Sequence, residues 1–155
     1  MTTSTQPIPW QGIDHPALVT PDLDETVHFY RDVLGMQAGE IYEARGGKTR
    51  HCFIKPGATP AQGLHFWELT DAQLPPRPES LEWQRPATIM AGALLHIAFW
   101  LPAEAAAQAL RERLRQHDVN MSEISDLGHL RSMVFLDNNH LMLEAIWSGD
   151  ASTMH

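Results

Sequence analysis

The sequence predicts an α+β fold: one strand–helix–three-strand unit, βαβββ, present twice along a single chain. Three observations point there. Two stretches carry helical apolar periodicity, and the other apolar runs have the length and the branched, aromatic content of strands. The order of these pieces also repeats, each time from a histidine followed six residues later by a proline.

The first strand is the apolar run from Ile13 to Thr20. It leads into a helix from Asp24 to Leu34, where Val27, Tyr30 and Leu34 share a face with Thr26, Phe29 and Val33 beside them. Asp22 or Asp24 caps its start, and Gly35 supplies a left-handed stop. Three strands follow, Met36 to Ala44, His51 to Lys55 and Leu64 to Leu69, parted by the turn signals Gly46-Gly47 and Pro56-Gly57. Thr70 to Ala91 is a linker, in which LPPRPES and QRPAT hold four prolines and little periodicity.

The second unit opens with a strand from Leu94 to Leu101. Its helix, Ala103 to Gln116, buries Ala106, Ala107, Leu110 and Leu114 and exposes Arg111, Glu112 and Arg115. Strands at Val119 to Ile124, Met133 to Asp137 and His140 to Trp147 complete it, the last two joined through Asp137-Asn138-Asn139. A single domain over residues 1–155 is expected, with modules near 11–70 and 92–147, a linker at 71–91 and frayed tails.

The repeat also selects candidate site residues. His15 precedes Pro21 and His96 precedes Pro102 by the same six residues. Each unit ends on a strand with one glutamate among apolar neighbours, Glu68 in LHFWEL and Glu144 in HLMLEAIW. The histidine-to-glutamate separations are 53 and 48 residues. Strand alternation gives one face to Ile13, His15, Ala17 and Val19, another to Leu94, His96, Ala98 and Trp100, and a third to His140, Met142, Glu144 and Ile146. A carboxylate amid apolar residues needs a cation or a proton, and one divalent metal ion answers that need for all four side chains. Two imidazoles and two carboxylates suit Fe, Mn, Co, Ni or Zn. Four such ligands leave two positions on an octahedral ion for a substrate that chelates through adjacent oxygens. Without Glu68, the set is a two-His-one-carboxylate facial triad with three positions open.

The remaining histidines divide. His51 either faces the cavity as an acid or base or covers a sheet edge, and His129 is either close to the site or a loop residue. His28 and His65 read as structural, His65 being out of phase with Glu68; His140 lies by a turn, and His117 and His155 read as exposed. Trp67, Trp83, Trp100 and Trp147 read mainly as core, some lining an apolar pocket.

Composition narrows the partners. Eleven Lys and Arg against nineteen Asp and Glu give a net charge of −8, which would repel a phosphate backbone. No basic amphipathic run or long apolar stretch suggests a membrane. Cys52 is the sole cysteine, which excludes an intrachain disulfide and a Cys-rich zinc site. The start, MTTSTQPIPW, lacks signal-peptide features, so a cytoplasmic location is expected. Phosphate-binding glycine loops, G-x-S-x-G and H-E-x-x-H are absent.

The segments DHPALVTPDLDETVHFYRDVLGM, LHFWELT, LHIAFWLP and MVFLDNNHLMLEAIW resemble the vicinal oxygen chelate superfamily of glyoxalase I, extradiol dioxygenases and bleomycin- or fosfomycin-resistance proteins. FYRDVLGM is the more specific motif, and DNNHLMLE looks like a variant of the family ending DP-x-G-x-x-x-E. The resemblance implies curved mixed sheets enclosing a metal site, with His15, Glu68, His96 and Glu144 at the metal positions. It also implies a small-molecule substrate and a homodimer, with the site inside one chain or across two.

Glu68 in WELT looks like the fourth ligand of glyoxalase I, which implies a lyase or isomerase with Glu68 or Glu144 as proton shuttle. Val19 stands where bacterial glyoxalases often carry a glutathione-contacting arginine. The alternative is a ferrous ring-cleaving dioxygenase using His15, His96 and Glu144 with His129. The tyrosine that subgroup carries on the penultimate strand is replaced in the Met133–Leu136 stretch. A drug-sequestering protein is third, since such proteins commonly lack the metal residues.

Overall fold

The computed structural model describes residues 8–78, 80–81 and 91–149. Expectations for the two tails, for Trp83, for His155 and for much of the linker fall partly or wholly outside the described residues. The elements run β1 (Ala17–Thr20), α1 (Leu23–His28), β2 (Gln37–Ala38), β3 (Tyr42–Ala44), β4 (Thr49–Lys55) and β5 (Leu64–Glu68) in the first half. The second half runs β6 (Ile97–Trp100), α2 (Glu104–Gln116), β7 (Ser125–Asp126), β8 (Leu130–Leu136) and β9 (Met142–Ser148). The α+β class and the repeated βαβββ order are those the sequence predicts.

Both sheets have the same construction. The first orders its strands β1-β5-β4, with β2 and β3 end to end along the outer edge of β4; the second orders them β6-β9-β8-β7. In each, the first strand runs parallel to the last and the other pairs are antiparallel.

The predicted strand over 36–44 is broken in two by a bulge. Ala38 lies opposite Ile54 but Tyr42 lies opposite His51, so the outer strand spends one residue more than β4 across the break. Gly39 sits there, its N–H donating to the Phe53 carbonyl at 2.8 Å. The extra residue turns Tyr42 to the face of His51. The second module repeats the device: Met121 bridges Phe135, whereas Ser125 pairs with Ser132.

Helix α1 is capped by the Asp22 side chain on the Glu25 N–H, 2.9 Å, and widens into a π-helical turn over Phe29–Val33. Gly35, at φ 76°, ends it as the sequence predicts. One core joins the inner faces of both sheets to the helices. It contains Leu23, Tyr30 and Phe66 of the first module and Leu114, Phe135 and Trp147 of the second. Polar contacts cross the same boundary: Tyr30 donates to Asp137 at 2.8 Å, and Thr20 to Asn139 at 3.0 Å. Because both inner faces meet this core, the outer faces of the two sheets look away from it.

Candidate metal centre

His15 stands just ahead of β1, where the parallel pairing with β5 has already begun. The Gly63 N–H donates to the Asp14 carbonyl at 3.2 Å and the His65 N–H to the Pro16 carbonyl at 3.0 Å. Gly63 must be glycine: it holds φ 86°, and a Cβ there would collide with the Ile54 carbonyl. Ala17 then lies opposite His65 and Val19 opposite Trp67, while across β4 His51 faces Trp67 and Phe53 faces His65. His15, His51, Phe53, His65 and Trp67 therefore share the outer face of the first sheet.

Their rings pack as one group. Phe53 stacks on His65 at 4.0 Å and His51 on Trp67 at 4.5 Å, while His15 meets Phe53 and His65 edge-on at 5.3 and 5.2 Å. The Asp14 carboxylate holds Nδ1 of His15 at 2.6 Å, which leaves Nε2 for a ligand role. The Trp67 indole, a donor only, gives its N–H to Nδ1 of His65 at 3.3 Å. Neutral His65 thus carries its proton on Nε2 and donates it to Nδ1 of His51 at 3.0 Å. Burial, then the neighbouring His51 and His15, push the His65 pKa below the ordinary imidazole value.

On the second sheet, Ala98 and Val134 lie opposite Glu144 on either side. His96, Ala98, Trp100, Met142, Glu144 and Ile146 share the outer face. Glu144 is 7% exposed, and its Oε2 lies 3.4 Å from Nε2 of His96. Two donors about 2.1 Å from one ion stand about 3.4 Å apart at the tetrahedral angle and about 3.0 Å apart at a right angle. The pair therefore has the spacing of two ligands, and a carboxylate among these apolar neighbours needs a cation. Both groups suit a divalent ion.

Glu68 is placed differently. Arg50 grips it with two bonds, Nε to Oε2 at 2.7 Å and Nη2 to Oε1 at 2.6 Å, and the Leu23 N–H donates to Oε1 at 3.0 Å. The Arg50 bonds hold its pKa below the usual glutamate value, so it is ionised and satisfied without a metal. In the parallel register it lies opposite Thr20, five residues beyond His15, or about 16 Å along the strand, and on the inner face.

The structure thus brings His96 and Glu144 together, sets His15 on the other outer face, and keeps Glu68 away from it. Among the described residues no three His, Cys, Asp or Glu side chains converge as a metal site. His51 lies on the outer face of the first sheet, packed against His65 and Trp67 and not at a sheet edge. His129 precedes β8, where Leu130 pairs with Ser148, four residues beyond Glu144. Taken alone in the sequence, His65 is out of phase with Glu68 and reads as structural. The available signal was spacing, because His15 to His65 is 50 residues, nearer to the 48 of the second half than 53 is. An apolar cavity of about 560 Å³ runs elsewhere, along β6 and α2, and none of the four candidate ligands lines it.

A model of the Glyoxalase/Bleomycin resistance protein/Dioxygenase superfamily matches residues 12–145. The fold is similar to a glyoxylase/bleomycin resistance protein/dioxygenase domain from Frankia sp. EAN1pec, with a TM-score of 0.72 and 17% identity over 90% of this chain and 99% of that one. It is similar to a mutant of the fosfomycin resistance protein FosX from Listeria monocytogenes, complexed with Mn(II) and 1S,2S-dihydroxypropylphosphonic acid. There the TM-score is 0.61 and identity 18%, over 88% of this chain and 91% of that one. The trypanothione-dependent glyoxalase I of Leishmania major matches with a TM-score of 0.62 and 18% identity, over 94% and 91%. No curated protein sequence matches the chain.

Proposed function

The chain belongs to the Glyoxalase/Bleomycin resistance protein/Dioxygenase superfamily, and from that premise we propose a divalent-metal-dependent enzyme that moves a proton on a small substrate bearing adjacent oxygens, as a glyoxalase-like lyase or isomerase. The observation that carries this is Glu144, a buried carboxylate 3.4 Å from His96 on an otherwise largely apolar outer face. His15, His96 and Glu144 are the metal-binding side chains in this proposal. A bound divalent ion would supply Lewis-acid polarisation of the substrate's two oxygens. Glu144 takes and returns the proton, and Val134, Met142 and Ile146 around it keep water away. The stacked His51, Phe53, His65 and Trp67 form the opposite wall.

The two outer faces belong to different copies in this proposal. They look away from the shared core, so a second chain is needed to bring His15 to His96 and Glu144. Two features support a homodimer. β1 and β6 are both sheet edges, and Ile13, Val19, Leu94, Leu95 and Trp100 on or beside them are exposed, Trp100 by 61%.

A ring-cleaving dioxygenase is the second reading, favoured by the Arg50–Glu68 pair, which leaves a two-His-one-carboxylate triad. The test is anaerobic isomerisation of a hemithioacetal by the metal-loaded protein and its Glu144→Gln variant. Metal-dependent turnover that the variant loses is expected. Oxygen uptake with a catechol under ferrous iron, without isomerisation, overturns the first reading for the second.

A further inference from the structure

We propose that His65, and not Glu68, is the second metal-binding side chain of the first half-site. This rests on the metal reading above and follows from the register of the two parallel strand pairs. In the second module His96 lies two residues before Ala98, whose partner across the pair is Glu144. In the first, His15 lies two residues before Ala17, whose partner is His65. Register therefore equates His15 with His96, Ala17 with Ala98, and His65 with Glu144.

The neighbours obey the same equivalence. Phe66 corresponds to Ala145, and both are buried in the common core. Glu68 corresponds to Trp147, and each reaches back to the first turn of its own module's helix. Glu68 accepts from the Leu23 N–H at 3.0 Å, and Trp147 donates its indole N–H to Glu104 at 2.6 Å. Glu68 thus occupies a helix-anchoring position in the repeat, and the ligand position of its strand is three residues earlier.

His65 has the surroundings of a ligand. Its ring lies 5.2 Å from that of His15 on the same outer face. To hold a metal through Nε2, His65 would carry its proton on Nδ1, and the 3.3 Å contact from Trp67 would yield. The complete set is His15 and His65 from one half-site with His96 and Glu144 from the other.

Co(II) titration of the full chain, followed by its visible absorption, compares wild type with His65→Gln, Glu68→Gln and His96→Gln. His65→Gln and His96→Gln should each weaken binding by roughly tenfold or more, while Glu68→Gln leaves it unchanged. Weakening by Glu68→Gln and not by His65→Gln overturns the assignment and leaves the metal reading standing. Unchanged binding in His96→Gln overturns the metal reading itself. If both His65→Gln and Glu68→Gln weaken binding, pulsed EPR of the Cu(II)-loaded wild type decides: three coordinated imidazoles support His65, and two overturn it.

Discussion

At the scale of single residues, the chemistry of Glu68 and Glu144 is separated by what each carboxylate touches. Both sit in apolar strands and look alike in sequence. Arg50 neutralises Glu68 with a two-bond grip and Leu23 adds a third donor, whereas Glu144 has His96 as an ion-pair neighbour. Glu68→Gln should therefore lower stability by about 1–3 kcal/mol, because it leaves Arg50 only the exposed Asp24 carboxylate as a charged partner. Urea unfolding measures this. The pH dependence has a definite sign. The folded-state pKa of Glu68 is depressed below 4.5 by Arg50, so its contribution is complete above that value and is lost as pH falls through the folded pKa. Acid unfolding of Glu68→Gln should consequently be shallower below pH 4.5 than that of wild type.

At the scale of elements, the parity of each strand decides which side chains reach the site. Simple alternation places His15, His96 and Glu144 on their faces, and the structure agrees with that alternation. It does not reveal how β1 and β5 slide past one another. That offset is fixed by the Gly63 and His65 backbone bonds to residues before β1, contacts about 50 residues apart in the chain that local periodicity does not encode. The bulges after Ala38 and Met121 were equally hidden, since one extra residue leaves composition unchanged while turning Tyr42 to the site face. The helices were legible because their caps and stripes are local: Asp22, Gly35 and the Ala107–Leu114 stripe all act where the sequence places them. The turn between β8 and β9 is another element set by distant contacts. Asp137 accepts from the Asn139 and Leu141 N–H groups and from Tyr30 of the other module. Burial raises the pKa of both Tyr30 and Asp137, which favours the neutral phenol as the donor. Tyr30→Phe should cost about 1–3 kcal/mol in urea unfolding by removing a donor from a buried carboxylate. Metal affinity should change little, because the bond lies on the core side of both sheets.

At the scale of the whole molecule, the two modules spend their inner faces on one another. Leu23, Phe66, Phe135 and Trp147 enter a single core, and the outer faces carry the ligand candidates. In the proposed reading one chain presents two half-sites, each next to an open sheet edge. The exposed Ile13, Val19 and Trp100 lie on or beside those edges. In the proposed dimer a second copy would cover them and complete the metal site, with two equivalent sites per dimer by symmetry.

Metal analysis of mixed dimers tests this directly. His15→Ala damages one half-site and Glu144→Ala the other, so each variant alone should bind little metal. Co-refolded in equal amounts, half the dimers are mixed and each mixed dimer regains one intact site, giving about a quarter of the wild-type metal content. Recovery near that level is the predicted result. A mixture that holds no more metal than its parents, or full metal occupancy in a wild-type monomer, would contradict a site shared between two chains.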